Sequence, residues 1–326
     1  MTAYSATPSE TDGTWTLAGP GASVIVNPRR GADILSLVHR ESGREILWRH
    51  PRWIAEAPPT QPLDSAPEAF YDFYPGGIQE IFPQAGPGVP FNGTPMIFHG
   101  DASRVPWTAV AEVNDQSVSL ACSTILSRYP FALRRIISID GTADLRIRAE
   151  IENLADVPMP VHWGFHPAFS EELTQAPAFL QGPLASMTAH DGQIAGRQDY
   201  GFGERLDLPV SEGLGTLALK PADAGSADIL YGDVDDGWVR LVSPAVGLQV
   251  TMRWPVEVFP SLWLWQECRD PSGYPWWGLY HVVGIEPSSA TPMQSLEQDV
   301  ASGSALWVEP AGSVSAEIVF EIEATE

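Results

Sequence analysis

The chain has 326 residues, with 41 acidic and 18 basic side chains and a formal net charge of -23 at pH 7. A surface of this charge repels nucleic acid and anionic lipid, so neither is expected as a partner. Only two cysteines occur, and the positions of Cys122 and Cys268 suit neither a disulfide framework nor a zinc site. Residues 1–20 lack the basic start and apolar stretch of a signal peptide, and no apolar run is long enough to cross a membrane. A cytoplasmic protein is therefore predicted.

Alternating apolar and polar positions, the pattern of strands with one buried face, recur along the chain. Strands are predicted at residues 22–27, 33–39, 117–126, 131–139, 143–153, 161–165, 238–242, 247–254, 262–266, 279–285 and 317–323. Thirty Pro and 29 Gly separate these runs, and no long segment has helical periodicity with caps at both ends. The pattern predicts an all-β fold, a large antiparallel β-sandwich. One domain over residues 1–326 is expected, with a loosely ordered segment at residues 1–13.

Three stretches are too long and irregular to be simple turns: residues 55–74, 84–94 and 171–204. Loops of this length on a β scaffold are often lids or walls of binding sites. We therefore expect them to border a functional site.

Residues 153–169 contain two histidines on a predicted strand. Pro167 holds His166 in an extended conformation, and side-chain alternation places His162, Gly164 and His166 on one face. Four residues along a strand span about 13 Å, too far for both histidines to bind one metal ion. His166 is better interpreted as a proton-transfer group, with a purely structural histidine as the alternative.

Residues 280–288 form an apolar strand that ends in a carboxylate, Glu286, followed by Pro287. An apolar setting raises the pKa of a carboxyl group, which would suit a general base near neutral pH. An ordinary solvated strand end is the alternative interpretation.

Further polar and aromatic side chains lie where a binding site could use them. His99 and Arg104 stand at the exit of a predicted loop, and Gln79 and Glu80 follow a diglycine. Such side chains can hydrogen-bond sugar hydroxyls, although turn and capping roles explain each of them individually. Trp276 suits either a platform for a sugar ring or simple packing.

Together these segments resemble the aldose 1-epimerase (galactose mutarotase) family. Asn-x-x-Asp-x-Pro-x-Pro leading to Gly-Phe-His-Pro-x-Phe, at residues 153–169, resembles the family's His-Pro motif. Gly-Ile-Glu-Pro, at residues 284–287, resembles its glutamate motif, and residues 27–48 resemble its opening hairpin. The resemblance extends from about residue 14 to residue 323, with the motifs in family order.

The resemblance implies a galactose mutarotase-like β-supersandwich with a site in a cleft. By that resemblance His166 is the general acid at the sugar ring oxygen, Glu286 is the general base at the C1 hydroxyl, and His99 helps to place the ring oxygen. The partner is then a small sugar, bound by a monomer or homodimer without a metal or cofactor. The substrate-binding residues expected around it are Gln79, Glu80, Arg104, His162 and Trp276.

The chain also departs from the family pattern. Ala168 replaces the usual aromatic residue after His-Pro, and no Gly-Arg-x-x-Asn-Arg segment occurs. The Gly-Asp after His99 is closer to the sugar-phosphate branch of the family. A dianionic phosphate normally needs several basic residues, however, and near the expected site they are few, chiefly Arg104. Galactose is therefore in doubt as the substrate, and a neutral sugar, a uronate or a sulfosugar stays open.

Three alternative functions remain at this point: a non-catalytic carbohydrate-binding β-sandwich, a glycoside hydrolase or lyase, and a 1-epimerase of an anionic sugar. Hydrolysis would need two carboxylates beside the scissile bond, and only Glu286 has a convincing setting. Mutarotation needs one acid and one base, and the chain shows no Walker loop, dinucleotide fingerprint or zinc motif.

Overall fold

The computed structural model describes residues 4–53, 67–141, 143–192, 194, 196–290 and 294–325. The first strands along the chain are β1 Ser5–Pro8, β2 Trp15–Ala18, β3 Ala22–Asn27, β4 Asp33–His39, β5 Arg44–Glu45, β6 Ile78–Ile81, β7 Thr108–Val113, β8 Ser117–Ile125, β9 Phe131–Asp140, β10 Ala143–Asn153, β11 Met159–Val161 and β12 Gly164–Phe169. The remaining strands are β13 Phe179–Gly182, β14 Ser186–Ala189, β15 Arg205–Asp207, β16 Val210–Ser211, β17 Leu214–Ala218, β18 Ser226–Asp233, β19 Trp238–Ser243, β20 Leu248–Arg253, β21 Ser261–Cys268, β22 His281–Ser288, β23 Leu306–Val308 and β24 Ser313–Ala324.

Helices are short. The α-helices of the described ranges are α1 Pro67–Tyr71, α2 Glu171–Thr174 and α3 Leu296–Ser302, and the 3-10 turns are Pro51–Trp53 and Ala222–Ala224. Ser295 caps α3 reciprocally with Gln298, which fixes the start of that helix. In these ranges no helix has the length and apolar character needed to cross a membrane.

Two large sheets form the scaffold. The first has the strand order β1-β2-β3-β4-β6-β12-β22-β21-β18-β14-β15, with β5 paired to β4. The second has the order β16-β17-β13-β19-β20-β24-β10-β9-β8-β7, and β11 pairs with β23 in a small separate sheet. Every strand pair in the described ranges is antiparallel. An all-β antiparallel sandwich, as the alternation predicts, is confirmed.

Alternation along the strands divides the first sheet into two faces. Phe165, Leu264 and Ile285 point into one continuous core, which also contains residues of the second sheet such as Ile147 and Phe320. The neighbouring positions along the same strands point away from the second sheet. That outward face is covered by α1 and by loops, and it carries the candidate site.

Strands with long, regular alternation were predicted closely. The bounds of β10 match the predicted strand at residues 143–153, and those of β3 and β4 match their predicted bounds. The prediction of one long, irregular loop at residues 171–204 was wrong, because α2, β13 and β14 lie within it. Their four-residue lengths are too short to show a period. At the N-terminus, Ser5–Pro8 form β1 and pair with β2, although this segment was expected to be loosely ordered. Most of the predicted loop at residues 55–74 lies outside the described residues.

Candidate active site

Strand pairing brings the two motif residues together on the outward face. β12 lies between β6 and β22 in the first sheet. Gly164 stands opposite Ser288 and Ala168 opposite Gly284, so His166 on β12 is opposite Glu286 on β22. The residue next along each strand is a proline that needs no ladder hydrogen bond from its nitrogen. The side chains of His166 and Glu286 therefore project from the same face of the sheet.

The two side chains are in contact. Nε2 of His166 lies 3.4 Å from Oε1 of Glu286, and both side chains are almost fully buried. On the other edge of the ring, Nδ1 of His166 lies 3.2 Å from the hydroxyl of Tyr74. Gly284 allows the carboxyl group to approach, since a Cβ atom there would be 2.6 Å from Oε1 of Glu286. Glu286, His166 and Tyr74 therefore form one chain of polar contacts.

Burial controls the ionisation of this pair. Desolvation lowers the pKa of His166 to about 4 and raises the pKa of Glu286 well above the usual carboxyl value. Both shifts favour uncharged groups. A neutral imidazole beside a carboxylic acid carries one proton, the same number as an imidazolium beside a carboxylate.

His99 approaches the pair from the opposite loop. Its ring centre is 5.6 Å from that of His166, and its backbone has a positive φ of 60°. Nδ1 lies 2.8 Å from the carbonyl oxygen of Ala85, which can only accept, so Nδ1 donates. Burial lowers the pKa of His99 well below its usual value, which leaves Nε2 as an acceptor.

Around these three groups is an aromatic pocket that is partly open to solvent. Trp265 from β21 and Trp276 from the following loop pack at 5.3 Å between ring centres and form one wall. The described residues that line the pocket are Phe70, Tyr71, Tyr74, Phe98, His99, His166, Ile194, Ile229, Trp263, Trp265, Trp276 and Glu286. In the part of the chain that the structure describes, no three His, Cys, Asp or Glu side chains are grouped so as to hold a metal ion.

His166, Glu286, His99 and Trp276 are thus brought together as the sequence suggested. Two other candidates, Gln79 and Arg104, lie close by but do not line the pocket. Gln79 stands opposite His166 in the strand register, but its amide nitrogen donates to Asp33 at 2.9 Å.

Arg104 is 1% exposed and does not line the pocket. Its Nη2 donates to the carbonyl oxygen of Phe98 at 2.6 Å. The guanidinium group also lies 5.8 Å from the ring centre of Phe70, which does line the pocket.

The structure places Glu80 and His162 away from the pocket. Glu80 points into the core between the sheets, where it accepts from Nε1 of Trp163 at 2.7 Å and forms a buried ion pair with Arg135. Adjacent residues on a strand face opposite sides, so Gln79 and Glu80 could not both reach one site.

His162 was expected to share a face with His166, but it lies in the gap between β11 and β12, which belong to different sheets. Its Nδ1 accepts from the backbone of Ala85, and its Nε2 lies 2.9 Å from Oδ2 of Asp299 on α3. The alternation from 162 to 166 is therefore interrupted.

Sequence reasoning missed Tyr74 and most of the aromatic wall. The spacing of Trp263 and Trp265 within one strand already places both on the same face, and that face also carries Glu286, which pairs with Trp263. For Tyr74, Phe70 and Phe98 the sequence held no such signal, because they lie in a short helix and in loops.

The comparisons with known proteins agree with this architecture. The sequence profile of the aldose 1-epimerase family matches residues 13–175, half of the chain. None of the curated proteins is significantly similar. Among solved structures, the Slr1438 protein from Synechocystis sp. PCC 6803 is 22% identical over 98% of both chains, with a TM-score of 0.69.

Two further solved structures share the fold. A provisionally named aldose 1-epimerase from Klebsiella pneumoniae is 15% identical over 98% of this chain and 82% of that one, with a TM-score of 0.73. A galactose mutarotase-like protein from Clostridium acetobutylicum is 15% identical over 96% of this chain and 95% of that one, with a TM-score of 0.66. The fold is therefore galactose mutarotase-like, and from the profile match the chain belongs to the aldose 1-epimerase family.

Proposed function

We propose that the protein is an aldose 1-epimerase that interconverts the α and β anomers of a sugar, with His166 and Glu286 as its acid and base. The observation that carries the proposal is the buried contact of 3.4 Å between Nε2 of His166 and Oε1 of Glu286. In a cyclic hemiacetal the ring oxygen and the C1 hydroxyl are bonded to the same carbon. An acid and a base that are neighbours can therefore serve both oxygens at once.

The reaction uses the single proton that the pair holds. With the proton on His166, the imidazolium gives it to the ring oxygen, and the Glu286 carboxylate takes the C1 hydroxyl proton. The C1–ring oxygen bond breaks, leaving a carbonyl at C1 and a hydroxyl on the former ring oxygen. His166 is then neutral and Glu286 protonated, the forms that burial favours. Rotation about C1–C2 and the reverse transfers give the other anomer.

His99 and Tyr74 support this step in different ways. Nε2 of His99 can only accept, so it cannot bond the ring oxygen of the closed sugar, which carries no proton. It can accept from the hydroxyl that ring opening creates, or from another sugar hydroxyl. Tyr74 holds the second nitrogen of His166, and its pKa is raised well above the usual value by burial, so it stays a neutral phenol. It thereby fixes the direction of the imidazole ring.

Glycoside hydrolysis fits the pocket less well. That chemistry needs a second carboxyl group about 5 to 9.5 Å from the first. Among the described residues that line the pocket, Glu286 is the only carboxyl group.

Exchange NMR of anomeric protons tests the proposal. The protein is mixed with neutral aldoses, and the rate of anomer exchange is compared with the spontaneous rate and with the rate for His166→Asn. We expect faster exchange for at least one sugar, and a loss of about 10² to 10⁴-fold in the variant. Sugar binding without faster exchange would instead support a carbohydrate-binding protein.

A further inference from the structure

His162 lies outside the pocket, yet hydrogen bonds join it to His99, which lines the pocket. Both imidazoles bond to the backbone of one residue, Ala85. Its N–H donates to Nδ1 of His162 at 3.2 Å, and its carbonyl oxygen accepts from Nδ1 of His99 at 2.8 Å. From this path we infer that His162 is a positioning residue, which fixes the tautomer and the direction of the His99 ring through Ala85. The inference rests on the proposed function, in which His99 accepts a hydrogen bond from a sugar hydroxyl.

The two histidines hold opposite tautomers. Nδ1 of His162 accepts and so carries no proton, which puts the ring proton on Nε2. That Nε2 lies 2.9 Å from Oδ2 of Asp299, a fully buried side chain on α3. The carboxyl group holds the proton on Nε2 and thereby leaves Nδ1 as an acceptor for Ala85. His99 is the reverse, with its proton on Nδ1 and Nε2 as the acceptor.

The chain on either side of this contact is also held in place. The side chain of Gln84 accepts from the backbone nitrogen of Leu296, at the start of α3, at 3.0 Å. Ala85 itself is fully buried and belongs to an apolar cluster with Trp263, a residue of the pocket wall. The carbonyl oxygen that faces His99 therefore has little freedom to turn. Helix α3 supports it from outside the pocket.

The tautomer of His99 decides what this ring can do in the pocket. With the proton on Nδ1, Nε2 can accept from a sugar hydroxyl. If the carbonyl group of Ala85 turned away, nothing would hold the proton on Nδ1. The ring could then carry it on Nε2 and would donate where it should accept. A residue that keeps Ala85 in place thus acts on the reaction without touching the sugar.

Three variants separate the bond to Ala85 from the loss of a buried ring. His162→Leu removes the acceptor for the N–H of Ala85. In His162→Asn the amide oxygen can take the place of Nδ1 and restore that acceptor. His281→Leu is the matched control, because His281 is equally buried and does not line the pocket. Its Nε2 lies 3.3 Å from the carbonyl oxygen of Thr174 instead.

The experiment reads the tautomers first and the rate second. Imidazole nitrogen NMR shifts of histidine-labelled protein show which nitrogen is protonated, and the His99 signals are those missing from His99→Gln. In the wild-type protein we expect the proton of His99 on Nδ1 and that of His162 on Nε2. In His162→Leu, part of the His99 population should carry the proton on Nε2, and kcat for anomer exchange should fall about 2- to 10-fold, the factor of one hydrogen bond. His162→Asn and His281→Leu should keep the wild-type tautomer of His99 and the wild-type kcat.

The outcomes distinguish this inference from the proposed function. A wild-type His99 with its proton on Nε2 would overturn the inference whether or not His162→Leu folds. A His99 tautomer that is unchanged in His162→Leu, or that shifts equally in His281→Leu, would overturn it as well. In these cases anomer exchange by the wild-type protein still stands. No exchange by the wild-type protein would remove the proposed function, and with it the role given to His162, even if the tautomers were as expected.

Discussion

Replacing Glu286 with glutamine separates the chemistry of this residue from its place in the fold. The two side chains have nearly the same shape, and burial already favours the uncharged carboxyl group in the native protein. The amide can therefore occupy the same site beside His166 without introducing a charge. It cannot accept the C1 hydroxyl proton. We expect a folded protein of near-normal stability that has lost one proton-transfer group.

The size of the loss follows from that missing group. A positioned acid or base contributes about 10² to 10⁴-fold, or about 3 to 5.5 kcal/mol of barrier. Glu286→Gln should lower the catalysed rate of anomer exchange by this factor, while the midpoint of thermal unfolding changes little. Exchange NMR and differential scanning calorimetry on the same samples provide the two readings.

Glu267→Gln is the matched control. Glu267 is also fully buried, on the strand next to β22, and its pKa is raised to about 8 by burial. Its Oε1 accepts from the backbone of Asp270 at 2.8 Å, and it does not line the pocket. This variant should keep the wild-type exchange rate. The reasoning would be refuted if Glu286→Gln retained more than about a tenth of the wild-type exchange rate. It would also be refuted if Glu267→Gln lost as much of that rate as Glu286→Gln.

Four other outcomes are expected. Because the pKa of His166 is lowered to about 4, the fall of the exchange rate on the acid side should be centred near pH 4, where a second proton on the pair removes the base. A fall centred near 6.5 would contradict this. Tyr74→Phe should reduce kcat about 2- to 10-fold with little change in KM or unfolding midpoint, since one hydrogen bond of about 0.5 to 1.5 kcal/mol that orients His166 is lost; an unchanged kcat would remove its positioning role. Folded Glu267 keeps its proton up to a pKa of about 8 while the unfolded chain releases it near 4.5, so the free energy of unfolding should fall as pH rises between these values, and Glu267→Gln should flatten that slope in urea titrations. Glu80→Gln leaves the buried Arg135 without its counter-charge and should cost about 3 to 5 kcal/mol of stability; unchanged stability in the same titrations would show that the pair is not structural.

Local patterns predicted the scaffold well where strands alternate over many residues. In β10, the side chains of Leu145, Ile147, Ala149 and Ile151 lie in the core and the charged side chains between them are more exposed, so sequence alone gives both the strand and its buried face. Central strands of the first sheet lack this contrast. Every residue of β12 and β22 is buried, because the core covers one face and the site covers the other. For such strands the sequence predicts extended structure but not which face is functional.

This explains why Gln79 and Glu80 were both predicted to bind substrate. Both are about 1% exposed, yet one faces the site and the other the core. The contact between His166 and Glu286 depends on the register of two strands that are far apart in the sequence, which local patterns cannot give. Only the resemblance of their motifs to a family linked them. Phe70 reaches the pocket from the short helix α1 and Tyr74 from the loop that follows it, and no periodicity marks them.

The central claim is that His166 and Glu286 work as one proton-transfer unit in anomer exchange. The most direct test measures exchange NMR rates side by side for the wild-type protein, His166→Asn, Glu286→Gln and the double variant. If the two groups share one proton path, each single variant loses most of the acceleration and the double variant is no slower than the worse single one. Losses that multiply in the double variant, or single variants that keep the wild-type rate, would contradict the claim.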